Sequence, residues 1–522
     1  MPTANQKILW ADDEIDMLRP HILYLQSKGY DVAAVASGED AVRRADESSF
    51  DVVLLDEMMP GMGGLATLAA LKEHHPHLPV IMITKSEEEN LMDMALGRQI
   101  SDYLTKPVNP SQILLAIKKV LESESLQRSQ KTRDYVAEFN DLLSVRHGDL
   151  DWLDWASLYE RVVSWDLELS NIQEDSLRQS HLDQKIQLNR EFSRHVEANY
   201  GDWIAKPFGQ RPPLSTDIFT QWVRPHLEAG RRVALMVVDC MRLDQWRSLE
   251  TLLLPYFDSQ TDLFCSILPT ATPYSRNAIF SGLFPSELAK KYPEWWLENA
   301  PKEEGRNKYE PDLMNKQLEA IGIDPAIHKY TKIIHVNDGH KFRKKIGTLG
   351  EFKFLSIVFN FLDMLAHGRA ESELLEELAP DEHALRGLLQ TWFQHSSLFE
   401  TLKVLSRQDT TVIVTSDHGI IQAKRSAKVK GDRNAATSIR YKYGNNLDCD
   451  PREAVYLKDP EKWKLPGDKL VKNYIIAKEN YYFVYPTNFH KFERQLRNSF
   501  QHGGISLEEM ILPVATLTPK KR

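Results

Sequence analysis

The sequence is poor in cysteine and has no long apolar run. Only Cys240, Cys265 and Cys449 occur in 522 residues, too few and too scattered for a disulfide framework or a cysteine-rich zinc site. We therefore assign these cysteines no chemistry and expect a reducing, cytoplasmic environment. No uninterrupted apolar stretch reaches about 18 residues and the first residues lack a signal-peptide pattern, so the sequence predicts neither export nor a membrane span.

An excess of positive charge is also absent. The formal net charge of −9 argues against a protein that coats nucleic acid, because affinity for phosphate backbones is mainly cationic. Two local basic runs, residues 341–345 and 424–433, are candidates for contact with a polyanion, although such runs more often form solvated faces. The hydrophobic content of 42% and the charged content of 27% are those of an ordinary globular protein.

Residues 1–122 alternate short apolar strands with amphipathic helices, which is typical of a doubly wound parallel sheet. We predict strands at residues 7–11, 31–35, 52–56, 80–84 and 102–105. Asp12 and Asp13 follow the first strand, and Asp56 ends the third. Because the carboxyl ends of parallel strands meet at one edge, the three carboxylates predict a site for an oxygen-preferring ion such as Mg²⁺.

These strand ends resemble those of a response-regulator receiver domain. The resemblance rests on the acidic pair Asp12 and Asp13, on Asp56 within the segment LLDEMMPG, and on Thr84, Tyr103 and the Lys106-Pro107 step. It implies that Asp56 accepts a phosphoryl group from a sensor histidine kinase and that Thr84, Tyr103 and Lys106 form the switch. It also implies a Mg²⁺ site made by Asp12, Asp13, Asp56 and the backbone carbonyl of Met58. We expect phosphorylation to drive dimerisation through the face around Tyr103.

Residues 123–226 carry aromatic and apolar side chains three or four positions apart, among them Trp152, Trp155 and Tyr159. This spacing predicts a helical bundle, ended by the prolines that begin at Pro207. We interpret the aromatic stripe as core rather than as a binding surface. A rigid helical connector of this kind can transmit a change at the receiver to the domain that follows.

Residues 227–522 form a second predicted α/β domain. We predict strands at residues 231–239, 261–268, 331–336, 353–359, 411–415, 481–485 and 514–517. Acids and histidines follow several of these strands. Asp363 and His367 are four residues apart, so on a helix both side chains point the same way.

The acids and histidines make two sets of three. The first set is Asp363, His367 and His502; the second is Asp239, Asp417 and His418, with Thr272 as a fourth member. Oxygen and nitrogen donors without thiolate suit zinc. Two such ions stabilise both the attacking and the leaving oxygen of a phosphoryl displacement.

Thr272 is the candidate nucleophile. It precedes Pro273, which suits a first helical turn, so we place Thr272 at the N-cap, where backbone N–H groups attract phosphate. A hydroxyl bound to a metal ion becomes nucleophilic near neutral pH and can carry a covalent phosphothreonine.

This order of residues resembles the alkaline phosphatase superfamily: Asp239, a threonine nucleophile, Asp-x3-His, Asp-His-Gly, and a late His502. Joined to a receiver and a helical linker, the chain is similar to PorX-type response regulators, whose effector is the PglZ subgroup of that superfamily. The resemblance implies a zinc-dependent phosphodiesterase acting on oligonucleotides, including cyclic ones, in a regulator of type IX secretion. Arg276 is the candidate for the arginine with which phosphomonoesterases hold a dianion.

Two other functions are compatible with the pattern. One is a signalling scaffold that binds a sigma factor and a secretion-apparatus protein and keeps a mainly structural zinc site. The other, a DNA-binding response regulator, is poorly supported, because no compact helix-turn-helix follows residue 122 and the chain is acidic.

Overall fold

The structure, a computed structural model, describes residues 6–85, 100–121, 135, 150–170, 175–296, 303–369, 372–431, 438–467, 473–487 and 489–520. The chain divides into two compact units, residues 1–140 and 141–522. Within the described ranges, every helix is too short or too polar to traverse a lipid bilayer.

The first unit contains a five-stranded parallel sheet with strand order β2-β1-β3-β4-β5. Its strands are β1 (Lys7–Ala11), β2 (Asp31–Val35), β3 (Val52–Asp56), β4 (Val80–Thr84) and β5 (Asp102–Thr105). Its helices are α1 (Arg19–Ser27), α2 (Gly38–Glu47), α3 (Gly64–His74) and α4, at residues 110–121. The five predicted strands and the parallel α/β fold are confirmed.

The central strands of this sheet are apolar because both faces are covered. All five residues of β3 and of β4 are buried, as expected for a parallel sheet between helical layers. Helix α2 begins where the hydroxyl of Ser37 accepts a hydrogen bond from the backbone N–H of Asp40, which satisfies a donor left open at a helix start. Sheet and helices thus fix the carboxyl ends of β1, β3 and β5 at one edge.

The second unit opens with two long helices. These are α5 (Trp152–Ser170) and α6 (Asp175–Ala205). The aromatic stripe of α5 is buried against α6, with the rings of Trp155 and Phe192 5.2 Å apart. The interpretation of this stripe as core is therefore confirmed.

A six-stranded sheet forms the centre of the second unit, with strand order β7-β18-β10-β6-β9-β8. Its strands are β6 (Val233–Val238), β7 (Phe257–Cys265), β8 (His328–Ile333), β9 (Phe354–Phe359), β10 (Thr411–Thr415) and β18 (Ile511–Pro519). The pairs β10–β6, β6–β9 and β8–β9 are parallel, whereas β18 is antiparallel to both β10 and β7.

Smaller sheets flank this one. Their strands are β11 (Ile421–Gln422), β12 (Arg425–Lys428), β13 (Tyr441–Gly444), β14 (Ala454–Leu457), β15 (Asn473–Ala477), β16 (Tyr481–Val484) and β17 (Phe500–Gln501).

The remaining helices surround the sheets. They are α7 (Arg224–Glu228), α8 (Leu243–Leu253), α9 (Thr272–Ser281), α10 (Pro285–Lys291), α11 (Glu303–Arg306), α12 (Glu310–Ala320), α13 (Val336–Lys345), α14 (Phe361–Arg369), α15 (Glu373–Leu378), α16 (Glu382–His395), α17 (Ser397–Arg407), α18 (Phe489–Leu496) and α19 (Leu507–Met510). Short 3₁₀ turns lie at Ser215–Asp217, Pro325–Ile327, Ile346–Glu351 and Pro460–Trp463, and a π-helical turn at Phe219–Val223.

Several predicted strand bounds in this unit were wrong. The second strand starts at Phe257 and ends at Cys265 rather than spanning 261–268, and the third starts at His328 and ends at Ile333. The strand predicted at 481–485 pairs with β12 in a two-stranded sheet. Local propensity marks an apolar segment but does not determine which partner its backbone groups find, and pairing sets strand ends.

Candidate metal and phosphoryl-transfer site

Three neighbouring strands of the six-stranded sheet end at the same edge. In register, Thr415 pairs with Val237, and Val238 pairs with Phe359, so the residues that follow β10, β6 and β9 emerge together. All residues of these three strands are buried, and each large aliphatic side chain contributes roughly 1.5–3 kcal/mol by leaving water. This rigid frame carries Asp239, Asp417 and the start of α14.

The second predicted set of residues comes together at this edge. The Nε2 atom of His418 lies 3.7 Å from Asp239 Oδ1 and 3.7 Å from Asp417 Oδ2. The hydroxyl of Thr272 is 3.0 Å from the same nitrogen. Asp239, Asp417 and His418 are completely buried and Thr272 is nearly so. Four side chains from three segments of the chain therefore meet at a place that is shielded from solvent.

Two carboxylate oxygens in this set are available as ligands for a cation. Asp239 Oδ1 and Asp417 Oδ2 are buried and have no hydrogen-bond partner among the described residues. Burial, together with the neighbouring charge of Asp239, raises the pKa of Asp417 well above its usual range. A buried carboxylate without a donor is costly, and a divalent ion would satisfy both oxygens. The mixed oxygen and nitrogen donors therefore fit a zinc-type ion.

The first predicted set lies beside the second. His502 Nε2 is 3.8 Å from Asp363 Oδ1, and the ring of His502 stacks on that of His418 with centroids 4.2 Å apart. The structure thus brings Asp363 and His502 to the site. The side chain of His367, in α14, lies outside the described part of the chain, and its role stays a prediction.

The sequence analysis assigned the cysteines no chemistry, but the structure places one of them, Cys240, beside residues of the site. Cys240 Sγ lies 3.3 Å from Asp363 Oδ1 and 3.7 Å from His418 Nδ1. Cys240 adopts a positive φ of 69°. Burial and the carboxylates of Asp363 and Asp239 raise the pKa of its thiol well above the usual range. Sequence reasoning missed Cys240 because it looked for cysteine pairs, although its place directly after the strand-end Asp239 was a usable signal.

Thr272 is the first residue of α9, not the residue before it. The N-cap is Ala271, with Pro273 inside the first turn, so the N-cap assignment was wrong by one position. Every residue of α9 is buried. Because the N-terminal end of a helix carries partial positive charge, Thr272 still stands where a phosphoryl group is stabilised.

Arg276, one turn further along α9, faces the acids of the site. Its guanidinium donates to Asp239 Oδ2 across 2.6 Å and to Glu310 Oε1 across 2.7 Å. Glu310 also accepts a hydrogen bond from the hydroxyl of Tyr330. Arg276 is thus committed to protein carboxylates, and the idea that it binds the substrate dianion is not supported by its position.

The segment that carries Asp239 is tied to the two long helices by a buried ionic network. Arg242 lies 2.5 Å from Asp244 Oδ2 and 3.0 Å from Glu382 Oε1. Lys185, in α6, bridges Glu382 Oε2 and Asp166 Oδ2, each across 2.9 Å. Although burial disfavours the charge of Glu382, Arg242 and Lys185 hold its pKa well below the usual range.

The described residues of the two basic runs have different surroundings. Residues 341–345 form the exposed C-terminal part of α13, except for a buried Phe342. In the second run, Arg425 donates to the carboxylate of Glu479, and residues 432 and 433 lie outside the described part. Neither run supplies evidence for a polyanion groove.

The first unit has its own acidic cluster at the predicted edge. Carboxylate oxygens of Asp12, Asp13 and Asp56 lie within 4.8 Å of one another. Lys106 Nζ is 2.8 Å from Asp56 Oδ1 and 3.0 Å from Asp12 Oδ2. Burial is the main cause that raises the pKa of Asp56. Three converging carboxylate groups beside one ammonium fit a site for Mg²⁺ and a phosphoryl group.

The predicted switch residues surround this cluster to different degrees. Thr84 is buried and donates its hydroxyl to the carboxylate of Glu57. Tyr103 is 44% exposed, so its ring is accessible on the surface of the unit. The side chain of Met58 points outward, which leaves its backbone as the group that could face an ion.

Three family matches cover most of the chain. Residues 8–118 match the response regulator receiver domain, residues 125–204 the PorX response regulator linker domain, and residues 218–517 the BREX system PglZ alkaline phosphatase-like domain. The last match takes in more than half of the 522 residues. The chain belongs to the PglZ family. Its architecture is that of PorX-type proteins, a receiver followed by a helical linker and a PglZ domain.

Curated relatives are similar to the receiver part. The chain is 32% identical over 124 residues to the alkaline phosphatase synthesis transcriptional regulatory protein PhoP of Bacillus subtilis, covering 23% of this chain and 51% of that protein. It is 32% identical over 123 residues to the transcriptional regulatory protein ResD of the same organism, covering 24% and 51%. The chain therefore spans about half the length of these relatives.

Solved receiver structures align over the same part. The Vibrio cholerae chemotaxis protein CheY4 is 29% identical, covers 23% of this chain and 100% of its own, and gives a TM-score of 0.22. A receiver domain from Clostridium thermocellum is 30% identical and covers 23% of this chain and 98% of its own, with a TM-score of 0.22.

In this PglZ protein the cluster around Thr272 lies within the part of the chain that matches the alkaline phosphatase-like domain. The match to the alkaline phosphatase-like domain supports a hydrolase. Domains of this kind and receiver domains generally use metal ions. The receiver implies a phosphodonor such as a sensor kinase.

Proposed function

We propose that this PglZ protein is a two-component response regulator, phosphorylated on Asp56, whose effector is a zinc-dependent phosphodiesterase. The proposal assigns the residues around Thr272 to two Zn²⁺ ions and the residues around Asp56 to Mg²⁺. The zinc ligands are Asp239, Thr272, Asp363, His367, Asp417, His418 and His502. The magnesium ligands are Asp12, Asp13, Asp56 and the carbonyl of Met58.

One contact carries the enzymatic part of the proposal. The hydroxyl of Thr272 lies 3.0 Å from His418 Nε2, at the start of a helix and beside the unsatisfied oxygens of Asp239 and Asp417. A hydroxyl that needed only a structural partner would not require two buried carboxylate oxygens beside it that have no hydrogen-bond partner among the described residues. Its position is that of a nucleophile directed at a site for cations.

In the proposed hydrolysis, Thr272 attacks phosphorus and the start of α9 stabilises the phosphoryl group. The Thr272 hydroxyl releases its proton to solvent, and Oγ1 forms a bond to phosphorus while the bond from phosphorus to the leaving oxygen breaks. The leaving oxygen takes up a proton, and water then hydrolyses the phosphothreonine and restores the hydroxyl. Bound zinc supplies positive charge that lowers the pKa of the hydroxyl and neutralises the phosphoryl oxygens. The start of α9 directs backbone N–H groups at the same phosphoryl group.

Diester substrates fit the charges of this site better than monoesters. A diester carries one negative charge less than a fully ionised monoester, so it needs less cationic compensation. The three completely buried arginines in the described ranges, Arg242, Arg276 and Arg440, all pair with protein carboxylates. Oligonucleotides, including cyclic ones, are the diester class that the family resemblance favours.

Hydrolysis of a nitrophenyl phosphodiester by the zinc-loaded protein tests the nucleophile. Thr272→Ala is expected to lose nearly all activity, whereas Thr272→Ser keeps a hydroxyl at the position and is expected to retain part of it. Ser281→Ala, at the other end of α9, removes a hydroxyl away from the site and serves as the control. Full activity of Thr272→Ala, or a strong preference for the monoester, would contradict the proposal.

The regulatory part of the proposal rests on the receiver and on the PorX-type architecture. We infer phosphorylation by a sensor histidine kinase in the cytoplasm, dimerisation on phosphorylation, and a role in type IX secretion with a sigma factor and a secretion-apparatus protein as partners. If the zinc-loaded protein hydrolyses no diester but binds such partners when phosphorylated, the site has a structural role and the protein acts as a scaffold.

A further inference from the structure

Cys240 lies in the middle of the donor atoms of the site. A single position of its Sγ atom is within 4.8 Å of donor atoms from Asp239 and Asp363 in one grouping, and from His418 and His502 in another. Its side chain is completely buried. Of the three cysteines, it is the one whose sulfur lies among acids and histidines within the described residues.

The separations match those of donors that share one ion. In a tetrahedral zinc site with bonds of about 2.0–2.3 Å, neighbouring donors lie roughly 3.3–3.8 Å apart. Cys240 Sγ is 3.3 Å from Asp363 Oδ1, and that oxygen is 3.8 Å from His502 Nε2. The sulfur of Cys240 and the Nε2 atom of His502 are thus each separated from this Asp363 oxygen by the distance expected between neighbouring donors.

The backbone directs the thiol to this position at a cost. Cys240 has a φ of 69°, a left-handed conformation that costs a residue with a side chain on the order of 1–3 kcal/mol and that glycine adopts freely. Any residue with a Cβ at this position bears the cost, and a glycine would avoid it. The strained conformation turns the sulfur toward Asp363 and His418.

Two buried carboxylate oxygens near the sulfur are available to a cation. Asp239 Oδ1 and Asp417 Oδ2 are completely buried and have no hydrogen-bond partner among the described residues. Asp239 immediately precedes Cys240, and a carboxylate oxygen of Asp239 is within 4.8 Å of the sulfur. An ion at this position would therefore satisfy oxygen and sulfur donors together.

We propose that Cys240 is a metal ligand of this site, its thiolate completing the coordination of the ion held by Asp363 and His502. The proposal rests on the proposed function in that it requires the site to bind divalent ions. When the Sγ–metal bond forms, the S–H bond breaks, the electron pair stays on sulfur and the proton passes to solvent; no electron is transferred. A soft thiolate selects zinc or cobalt over magnesium and manganese.

Cobalt provides a spectroscopic test that does not depend on activity. The full-length protein is stripped of metal and titrated with Co²⁺, because a cobalt–thiolate bond gives a charge-transfer band in the near ultraviolet that oxygen and nitrogen ligands do not give. We expect the band in the wild type and in Cys265→Ser, and its loss in Cys240→Ser and Cys240→Gly. Cys265 is a matched control, since it is buried and its thiol donates a hydrogen bond to the backbone carbonyl of Ser266.

Zinc affinity gives a second, independent measurement. Competition with a chromogenic chelator should show zinc binding in Cys240→Ser weaker by at least the roughly tenfold loss that outer-shell changes already cause. The relative affinity for Mn²⁺ should rise in the same variant. Equal thermal unfolding of the metal-free wild type and Cys240→Ser would establish that the change acts on the ion and not on the fold.

The outcomes separate the two proposals. Co²⁺ binding without a thiolate band, or a band that persists in Cys240→Ser, would overturn the assignment of Cys240 while leaving the metal-dependent hydrolase intact. A wild-type protein that binds neither Co²⁺ nor Zn²⁺ would overturn both. A band lost in Cys265→Ser would also overturn the assignment, because it would place the ion elsewhere.

Discussion

Arg276 donates a hydrogen bond to the Oδ2 atom of Asp239 across 2.6 Å, and both side chains are completely buried. The same guanidinium pairs with Glu310 across 2.7 Å. One cation therefore compensates these two acids and lies 3.7 Å from a third, at Asp417 Oδ2, while the other oxygen of Asp239 stays available for an ion. The protein thus orients a ligand carboxylate from behind, as outer-shell partners of metal ligands commonly do.

Replacing this guanidinium should destabilise the protein. In Arg276→Met the buried carboxylates of Asp239 and Glu310 lose their cation, and breaking a buried pair costs about 3–5 kcal/mol. Denaturant unfolding of the metal-free protein measures the change. Saturating zinc should restore part of the lost stability, because the ion supplies charge to Asp239. Unfolding free energies equal to wild type within about 1 kcal/mol would contradict this account.

The buried ionic network at Lys185 predicts a similar loss of unfolding free energy for a residue outside the Thr272 cluster. Lys185→Met removes a cation shared by Asp166 and Glu382, so we expect a loss of about 3–5 kcal/mol in unfolding free energy. Arg194→Met, on the same helix, disrupts an exposed pair with Glu191 and should change stability by less than about 1 kcal/mol. If both variants lose the same unfolding free energy, the buried network does not stabilise the packing of the two long helices against the segment that carries Asp239.

His328 predicts a pH dependence of stability. Its Nδ1 contacts Asn315 Oδ1 across 2.8 Å and its Nε2 contacts Ser356 Oγ across 2.6 Å. Burial, aided by Lys329, lowers the pKa of His328 to about 4. The unfolded state, with a pKa of about 6.5, binds the proton first as the pH falls. The contribution of the neutral ring is therefore complete above about pH 6.5 and is lost between there and about pH 4.

Unfolding by urea at about pH 7 and at about pH 5 measures this effect. The wild type should lose stability relative to His328→Gln as the pH falls, by up to roughly 3 kcal/mol once the pH reaches about 4. The glutamine keeps polar contacts but does not titrate. Parallel pH curves for the two proteins would show that His328 is not the titrating group.

Activation of the receiver is expected to convert the protein from monomer to dimer. Beryllofluoride with Mg²⁺ mimics a phosphoryl group on Asp56, and its contact with Lys106 and Thr84 should favour dimers through the exposed ring of Tyr103. Sedimentation should show a doubled mass for the wild type and no change for Asp56→Asn. Tyr103→Ala should bind beryllofluoride but dimerise less. An unchanged wild-type mass at micromolar concentration would contradict the dimer.

The sequence was most informative where a strand ends in a charged residue. All five receiver strands follow from short apolar runs, and acids follow the first and end the third, because a buried parallel strand must be apolar and its carboxyl end is the place for polar side chains. The same argument selected Asp239, Asp417 and His418, whose donor atoms the fold brings within 4.8 Å of one another. The strand β12 and the sheet of β13, β14 and β15 were not predicted, because short strands carry little periodic signal.

The sequence by itself determined the order of the chemical groups: receiver acids, helical linker, and then a threonine among acids and histidines. Only the tertiary structure decided that Arg276 faces Asp239 and Glu310 rather than a substrate, and that the sulfur of Cys240 lies among the donors of the site. The physical reason is that distances between side chains depend on strand register and on single backbone angles, such as the φ of 69° at Cys240. Residue spacing along a chain does not encode either quantity.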